Sequence, residues 1–361
     1  MRTYDKKELA IILADTFDFL DNRKKLTIAE SIANGISLKD ALLSMKGDLL
    51  EEGLVDKAIS CLNKDYLQSA LDLLDKYGVT AITVFSKDYP EELKNIFSPP
   101  AILYAKGNLE LLKTPNRFAI VGSRKSLPQD KTVAENYAKV LTENGMCIVT
   151  GIAEGVDEHA IKGALNSGKI ISVTAGGFDK VYPKSNDELF KSVAKNGLCL
   201  SEQRPTVESI AYMYPLRNRI IAGLSVGVLV VSAGVKSGTF HTVNYALDGG
   251  KDIFAIPHAI GVQCGEGTNK LIKSGAFLTD EPNDILSYYG LEVEKEETKK
   301  VEELSAVEQP VYDKIKESGS IYIEKLAELL NKRSFELLPI LSMLEIKGLI
   351  IKSADNFYTC V

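Results

Sequence analysis

The stretch Tyr214–Thr242, YPLRNRIIAGLSVGVLVVSAGVKSGTFHT, decides how this chain is read. Arg217, Asn218 and Arg219 open a predicted helix that leads to the apolar segment Val226–Val231. A Val-rich run of about four to eight residues, flanked by Gly and without polar alternation, fits a strand buried on both faces of a parallel sheet. It ends in a small-residue loop, Ala233–Thr239. Lys236-Ser237-Gly238-Thr239 then feed a helix expected over 241–248, closed by Gly249 or Gly250, and a second apolar strand over 252–256. This is a βαβ unit. Its loop turns free backbone N–H groups and the positive helix end toward whatever lies above the sheet, where a phosphate or carboxylate is the natural guest.

The same rhythm runs through the preceding hundred or so residues. Strand 118–121 leads into Gly122-Ser123-Arg124 and a helix to Gly145, and strand 146–149 leads into Thr150–Gly155, with Gly151 within it, and a helix to Gly168. Strand 169–174 is followed by Ala175-Gly176-Gly177, then Tyr182–Asn186 with Lys184, a helix closed by Gly197, and strand 198–200. Strand, small-residue loop and helix in repetition predict an open, doubly wound parallel sheet of α/β class, with the loops gathered along one edge.

Outside this core the pattern changes. Residues 1–78 carry apolar positions at helical spacing (Leu9, Ile12, Leu13, Phe17; Leu49, Leu54, Ile59, Leu62), which predicts a small helical domain of the helix-hairpin-helix or SAM kind. The core spans 79–290, where Pro99-Pro100 halts any helix in the connecting stretch. A charged linker follows at 291–303. Residues 304–361 read as three helices and a terminal hairpin about Asp355-Asn356, a winged-helix pattern, in which Pro339 delays or bends the third helix.

A chain of 361 residues with 45% hydrophobic and 25% charged residues has ample core for several domains, and its net charge of −6 excludes a generally basic nucleic-acid coater while leaving room for a local basic groove. Five scattered cysteines, with no C-x-x-C pair, read as free thiols in a reducing cytoplasm. The N-terminus is too short in apolar residues for a signal peptide, and no 18-residue apolar run offers a membrane span.

Several enzyme signatures are missing. Neither G-x-G-x-x-G after the first core strand nor G-x-x-x-x-G-K-[ST] occurs. Gly223–Gly227 matches G-x-S-x-G but precedes a strand instead of joining strand to helix. His159, His241 and His258 have no metal-ligand spacing, so no metal or cofactor is expected, although His241 opens the helix after the 236–239 loop. Glu154 and Asp157 lie at the ligand edge without an identifiable nucleophile. The arginines are the stronger signal: Arg124, Arg217 and Arg219 all border the predicted edge and suit bidentate phosphate contacts.

Seven motifs in order, from YPEELKNIFSPPAILYAKGN at 89–108 through VGSRKS, TGIAEGVD, Tyr182–Asn186, SEQRP and YPLRNRIIAGLS to KSGTFHTVNYAL with GTNKLIKSGA, resemble the DNA-processing protein A family, also called DprA or Smf. The resemblance runs from about Tyr89 to Ala276. It implies an extended Rossmann-like core with a helical domain before it and a winged helix after it. It further implies a binding protein rather than an enzyme: a homodimer that holds single-stranded DNA and delivers the RecA recombinase to it in natural transformation. Carried onto matching positions, Gly122, Ser123, Arg124, Gly151, Arg217, Asn218, Arg219, Ser237, Gly238 and Thr239 would line the DNA groove, with Lys184 and Lys236 beside them. With no Trp in the chain, Tyr182, Tyr214 and Phe240 are the stacking candidates. Two positions depart from the family pattern: Ile161 stands where a His is usual, and His258 where a Gly is common.

Two rivals remain. Rossmann-like nucleotide phosphoribohydrolases use G-G-x-G-T-x-x-E, to which Gly238-Thr239 align, but Thr242 occupies the place of the catalytic Glu. A winged-helix regulator with a ligand-sensing core would rest on 304–361, whose few cations include Lys332, Arg333, Lys347 and Lys352.

Overall fold

The computed structural model describes residues 2–291, 304–347, 349–353 and 357–360. The charged linker and the Asp355-Asn356 turn expected from sequence fall on residues 292–303 and 354–356, outside the described residues. The chain divides into two compact units, Met1–Glu292 and Val293–Val361.

The first unit opens with five helices: α1 (Lys6–Asp15), α2 (Asn22–Ala33), α3 (Leu38–Ser44), α4 (Glu52–Ser60) and α5 (Lys64–Tyr77). Side-chain caps set most of their starts. Asp5 and Glu8 form a reciprocal capping box on α1, and the Asp21, Ser37 and Asn63 side chains accept from the amides of Lys24, Asp40 and Tyr66. Nine strands follow: β1 (Thr80–Thr83), β2 (Ile102–Gly107), β3 (Arg117–Val121), β4 (Cys147–Thr150), β5 (Ile170–Thr174), β6 (Leu198–Ser201), β7 (Gly227–Val230), β8 (Asp252–Ala255) and β9 (Phe277–Leu278). They form one sheet in the order β1-β2-β6-β5-β4-β3-β7-β8-β9.

From β6 to β9 every pairing is parallel, as the βαβ rhythm requires. The expectation of a wholly parallel sheet needs correction at one edge, where β2 runs antiparallel to β6 and β1 antiparallel to β2. These two strands precede the first crossover helix, so no βαβ connection fixes their direction. Strands β3 to β7 are buried residue by residue, and Ile120, Ile148, Ile171 and Leu229 are all closed to solvent. Their near-continuous apolar sequences are what burial on two faces demands.

The crossover helices are α6 (Pro128–Glu143), α7 (Val156–Leu165), α8 (Asp187–Asn196), α9 (Met213–Leu224), α10 (Thr239–Asp248) and α11 (Glu266–Lys273), with α12 (Pro282–Tyr288) closing the unit. Two begin earlier than the sequence pattern indicates. Helix α9 starts at Met213, so Arg217 and Arg219 fall in its middle rather than at its opening, and α10 starts at Thr239 rather than at His241.

Helices α1–α5 share one buried apolar cluster with the sheet, running from Ile11, Leu42 and Leu74 to Phe118 and Ile148. Polar ties reinforce the contact. The Tyr104 hydroxyl donates to Asp15 Oδ2 at 2.5 Å, and the Asn22 side chain bridges Pro99 O (2.7 Å) and the Ala101 amide (2.9 Å).

The second unit consists of α13 (Gln309–Ser318), β10 (Ile321–Tyr322), α14 (Ile323–Leu329), α15 (Ser334–Ile346), β11 (Ile350–Lys352) and β12 (Phe357–Cys360). Its strands are antiparallel in the order β10-β12-β11, and its core is Val311, Ile315, Leu326, Leu337, Leu341, Leu344 and Tyr358. Pro339 does not delay α15, which begins at Ser334 and contains the proline. Past the first turn, that ring removes one amide from the helical ladder.

Candidate functional site

The strand order locates a crevice. After β3 the chain builds outward through β4, β5 and β6, then returns to the opposite side of β3 as β7. The segments leaving β3 and β7 therefore part in opposite directions, and open α/β sheets take their ligands at this switch point. The Ser123 amide donates to Ser232 O at 2.9 Å and joins the two segments at the floor. Above them lies a cleft of about 430 Å³.

Eight of the residues expected at the site line it: Gly122, Ser123, Arg124, Arg217, Asn218, Ser237, Gly238 and Thr239. Gly151 is buried below. A side chain there would meet the Asp157 carboxylate and approach Arg217 Nη2 to 2.7 Å, so only glycine leaves these two groups room to face each other. Gly155, at φ 85°, turns the chain into α7, and a Cβ on it would lie 2.5 Å from Ser123 O.

Arg217 is only 7% exposed. Its guanidinium donates to Val173 O, and Nε donates to Asn218 Oδ1 at 3.1 Å. Burial pulls its pKa down, and the nearby Asp157 carboxylate opposes that shift. Asp157 is itself buried, which raises its pKa against the pull of Arg217 and of the Ala153 amide. Arg124 is exposed and lies over the Tyr214 ring at 5.0 Å, while Lys125 beside it also lines the cleft. At the far wall Ser237 Oγ accepts from the Thr239 amide (3.2 Å) and so shapes the first turn of α10, whose positive end opens into the cleft. The result is a site with two guanidiniums, one ammonium and a helix N-terminus, suited to a polyanion.

Other expected residues are placed elsewhere. Arg219 is 4% exposed and grips Glu202 through Nη2 at 2.6 and 2.7 Å, in a second hollow with Glu92 and Tyr245. Lys184 and Lys236 are exposed on their loops but do not line the cleft. Phe240 is not a stacking platform, since it packs onto the apolar cluster beneath α10. Tyr214 does line the cleft, and Tyr182, 59% exposed, meets it edge to face with ring centres 6.3 Å apart. His241 and Thr242 also line it. Sequence reading missed Lys125, whose only signal was its place next to Arg124 in a loop leaving a strand.

Fold and cleft together define a Rossmann-like α/β protein with a cationic cleft at its switch point. Residues 80–290 match the family model described as DNA recombination-mediator protein A, and the chain belongs to this DprA/Smf family. Among curated relatives, the DNA processing protein DprA of Bacillus subtilis is 39% identical over 209 residues, covering 58% of this chain and 70% of its own. The DprA of Streptococcus pneumoniae is 39% identical over 210 residues, covering 58% and 74%. The X-ray structure of DprA from Streptococcus pneumoniae superposes with a TM-score of 0.69 at 31% identity, over 79% of this chain and 98% of that one. A structure of the Helicobacter pylori protein, described as giving insight into its single-stranded DNA binding mode, superposes with a TM-score of 0.53 at 31% identity, over 58% and 95%. No helix among the described residues is long and apolar enough to cross a membrane.

Proposed function

We propose that this chain binds single-stranded DNA through the phosphates of its backbone in the cleft between β3 and β7, and acts there as a recombination mediator. The observation that carries the reading is the convergence on one cleft of Arg124, Lys125, Arg217 and the opening of α10. Phosphate contacts of this kind are independent of sequence, and Tyr214 and Tyr182 supply aromatic faces on which unpaired bases stack. The single-strand binding named for the Helicobacter pylori protein supports it. The direct test is competition: a labelled single strand bound to the full chain should be displaced by unlabelled single strand far better than by duplex. Equal displacement by duplex would refute the stacking role.

Delivery of a RecA-type recombinase, homodimerisation, and a winged-helix role for residues 304–361 extend the proposal. Recombinase filament assembly on strands coated with a single-strand-binding protein, with and without this chain, tests the first; light scattering tests the second. The helix–strand order of the second unit supports the third. In that unit Lys347 is paired with Glu308, while Arg333 and Lys352 lie over Phe335 and Tyr358, which disfavours duplex reading as its main task.

A phosphoribohydrolase is disfavoured by the chemistry of the cleft. Thr242 stands in place of the required Glu, and among the described lining residues Asp157 is the one carboxylate, buried against Arg217. A general acid or base has to reach substrate, and this one is enclosed.

A further inference from the structure

Asp130 in the first turn of α6 lies far in sequence from His258, after β8, and Cys264, in the turn Gln263–Gly265, yet each presents one ligand atom within 4.8 Å of the others. The surroundings of the imidazole define its state. Nδ1 has two neighbours, Ile256 O at 3.1 Å and Thr268 Oγ1 at 3.0 Å, and the Thr268 hydroxyl already donates to Gly265 O at 3.0 Å. Both neighbours therefore accept, so Nδ1 carries the hydrogen and donates. Nε2 is left facing Asp130 Oδ1 at 3.2 Å. A lone pair aimed at a carboxylate oxygen is repulsive, so a cation belongs between them, either a proton on Nε2 or a metal ion.

Cys264 favours the metal. Its Sγ lies 3.6 Å from Asp130 Oδ2 on the side of the carboxylate away from the imidazole contact. With metal–nitrogen and metal–oxygen bonds of about 2.0 Å and a metal–sulfur bond of about 2.3 Å, a tetrahedral zinc ion separates its ligands by roughly 3.3–3.6 Å. The 3.2 Å Nε2–Oδ1 separation matches such an edge, whereas Sγ lies 3.6 Å from the other oxygen, Oδ2, so a small turn of the Asp130 or Cys264 side chain brings all three ligands onto one ion. An Nδ1–H held by a backbone carbonyl is the usual outer support of a metal-bound histidine. Carboxylate and thiolate together neutralise a divalent ion. This matters because the His258 and Asp130 side chains are only 7% and 4% exposed, whereas Cys264 is half-buried and leaves the fourth position open to water.

We propose that Asp130, His258 and Cys264 form a zinc-binding site with one solvent ligand. A nitrogen, oxygen and sulfur donor set selects zinc over magnesium or calcium. On binding, the Cys264 thiol loses its proton to solvent, as does Nε2 where protonated, and bonds form from Sγ, Nε2 and one Asp130 oxygen to the metal. The site ties α6 to the segment after β8, which in turn meets the cleft loop through the Gly267 amide bonded to Ala233 O at 2.7 Å. It is a structural clamp beside the cleft and holds whether or not DNA is the ligand there.

The test uses the untagged full-length chain, loaded with zinc, desalted and assayed for bound metal, then repeated with Co²⁺ as spectroscopic probe. One tightly held equivalent is expected, together with a thiolate-to-cobalt charge-transfer band and tetrahedral d–d absorption. Cys264→Ser should abolish the charge-transfer band, and both Cys264→Ser and His258→Gln should weaken zinc binding by about tenfold or more. Circular dichroism of each variant checks that the fold persists. A wild-type chain that emerges without metal, or a cobalt band that survives in Cys264→Ser, would overturn the site and leave an Asp130–His258 ion pair only.

Discussion

The guanidinium of Arg217 and the carboxylate of Asp157 face each other across Gly151, at the floor of the cleft. The pair sets the local charge and the shape of the floor at once, because glycine is the one residue small enough to lie between them.

Gly151→Ala therefore forces the two groups apart. Overpacking of a dense interior costs about 1–3 kcal/mol. Urea unfolding should show a loss in this range, and single-strand binding should weaken with it as Arg217 shifts. Unchanged stability would mean that the pair yields freely.

Asp157 should make single-strand binding pH-dependent. Burial holds its pKa above the ordinary 3.8, so on acidification it takes up a proton while exposed carboxylates are still ionised. Protonation removes a negative charge next to Arg217, so affinity for oligo-dT should rise as pH falls through this range and fall as pH rises. Asp157→Asn should bind well throughout and lack that dependence, as anisotropy titrations at a series of pH values would show.

Arg219 gives the opposite kind of prediction. Glu202→Gln removes the counter-charge from a guanidinium that is 4% exposed, and breaking such a buried pair costs about 3–5 kcal/mol. Denaturation should reveal the loss, while affinity of the folded protein for a single strand stays near that of the wild type. A selective loss of binding would return Arg219 to the site.

In the second unit, Lys347 first and then the Ser305 amide hold Glu308 down from 4.5 to about 2. A depressed folded-state pKa contributes stability that is present above 4.5 and lost as pH falls toward 2. Amide exchange of α13 in the full chain should quicken over that window, and Glu308→Gln should remove the effect.

The parallel core was legible because burial on two faces leaves uninterrupted apolar strands, and small-residue loops such as 122–124 and 236–239 mark their carboxyl ends. The antiparallel edge was not, since β1 and β2 look locally like any other strand and their direction depends on distant partners. Arg217 and Arg219 read as a pair in sequence. In mid-helix, two residues apart is about 200° of rotation, so one faces the cleft and the other the opposite side. Phe240 was misread for the same reason, as an earlier helix start turns it toward the sheet. Asp130, His258 and Cys264 carry no spacing signal, because Asp130 on α6 is distant in sequence from the loop after β8 that holds the other two.

The most direct test of the account is the salt dependence of single-strand binding by the wild type and by Arg124→Ala, whose exposed side chain is removed without disturbing the core. Log affinity should fall linearly with log salt at about 0.7 per phosphate neutralised, and the variant should lose about one such contact from the slope. Absence of binding at low salt, or identical slopes for the two proteins, would contradict a phosphate-binding cleft at this switch point.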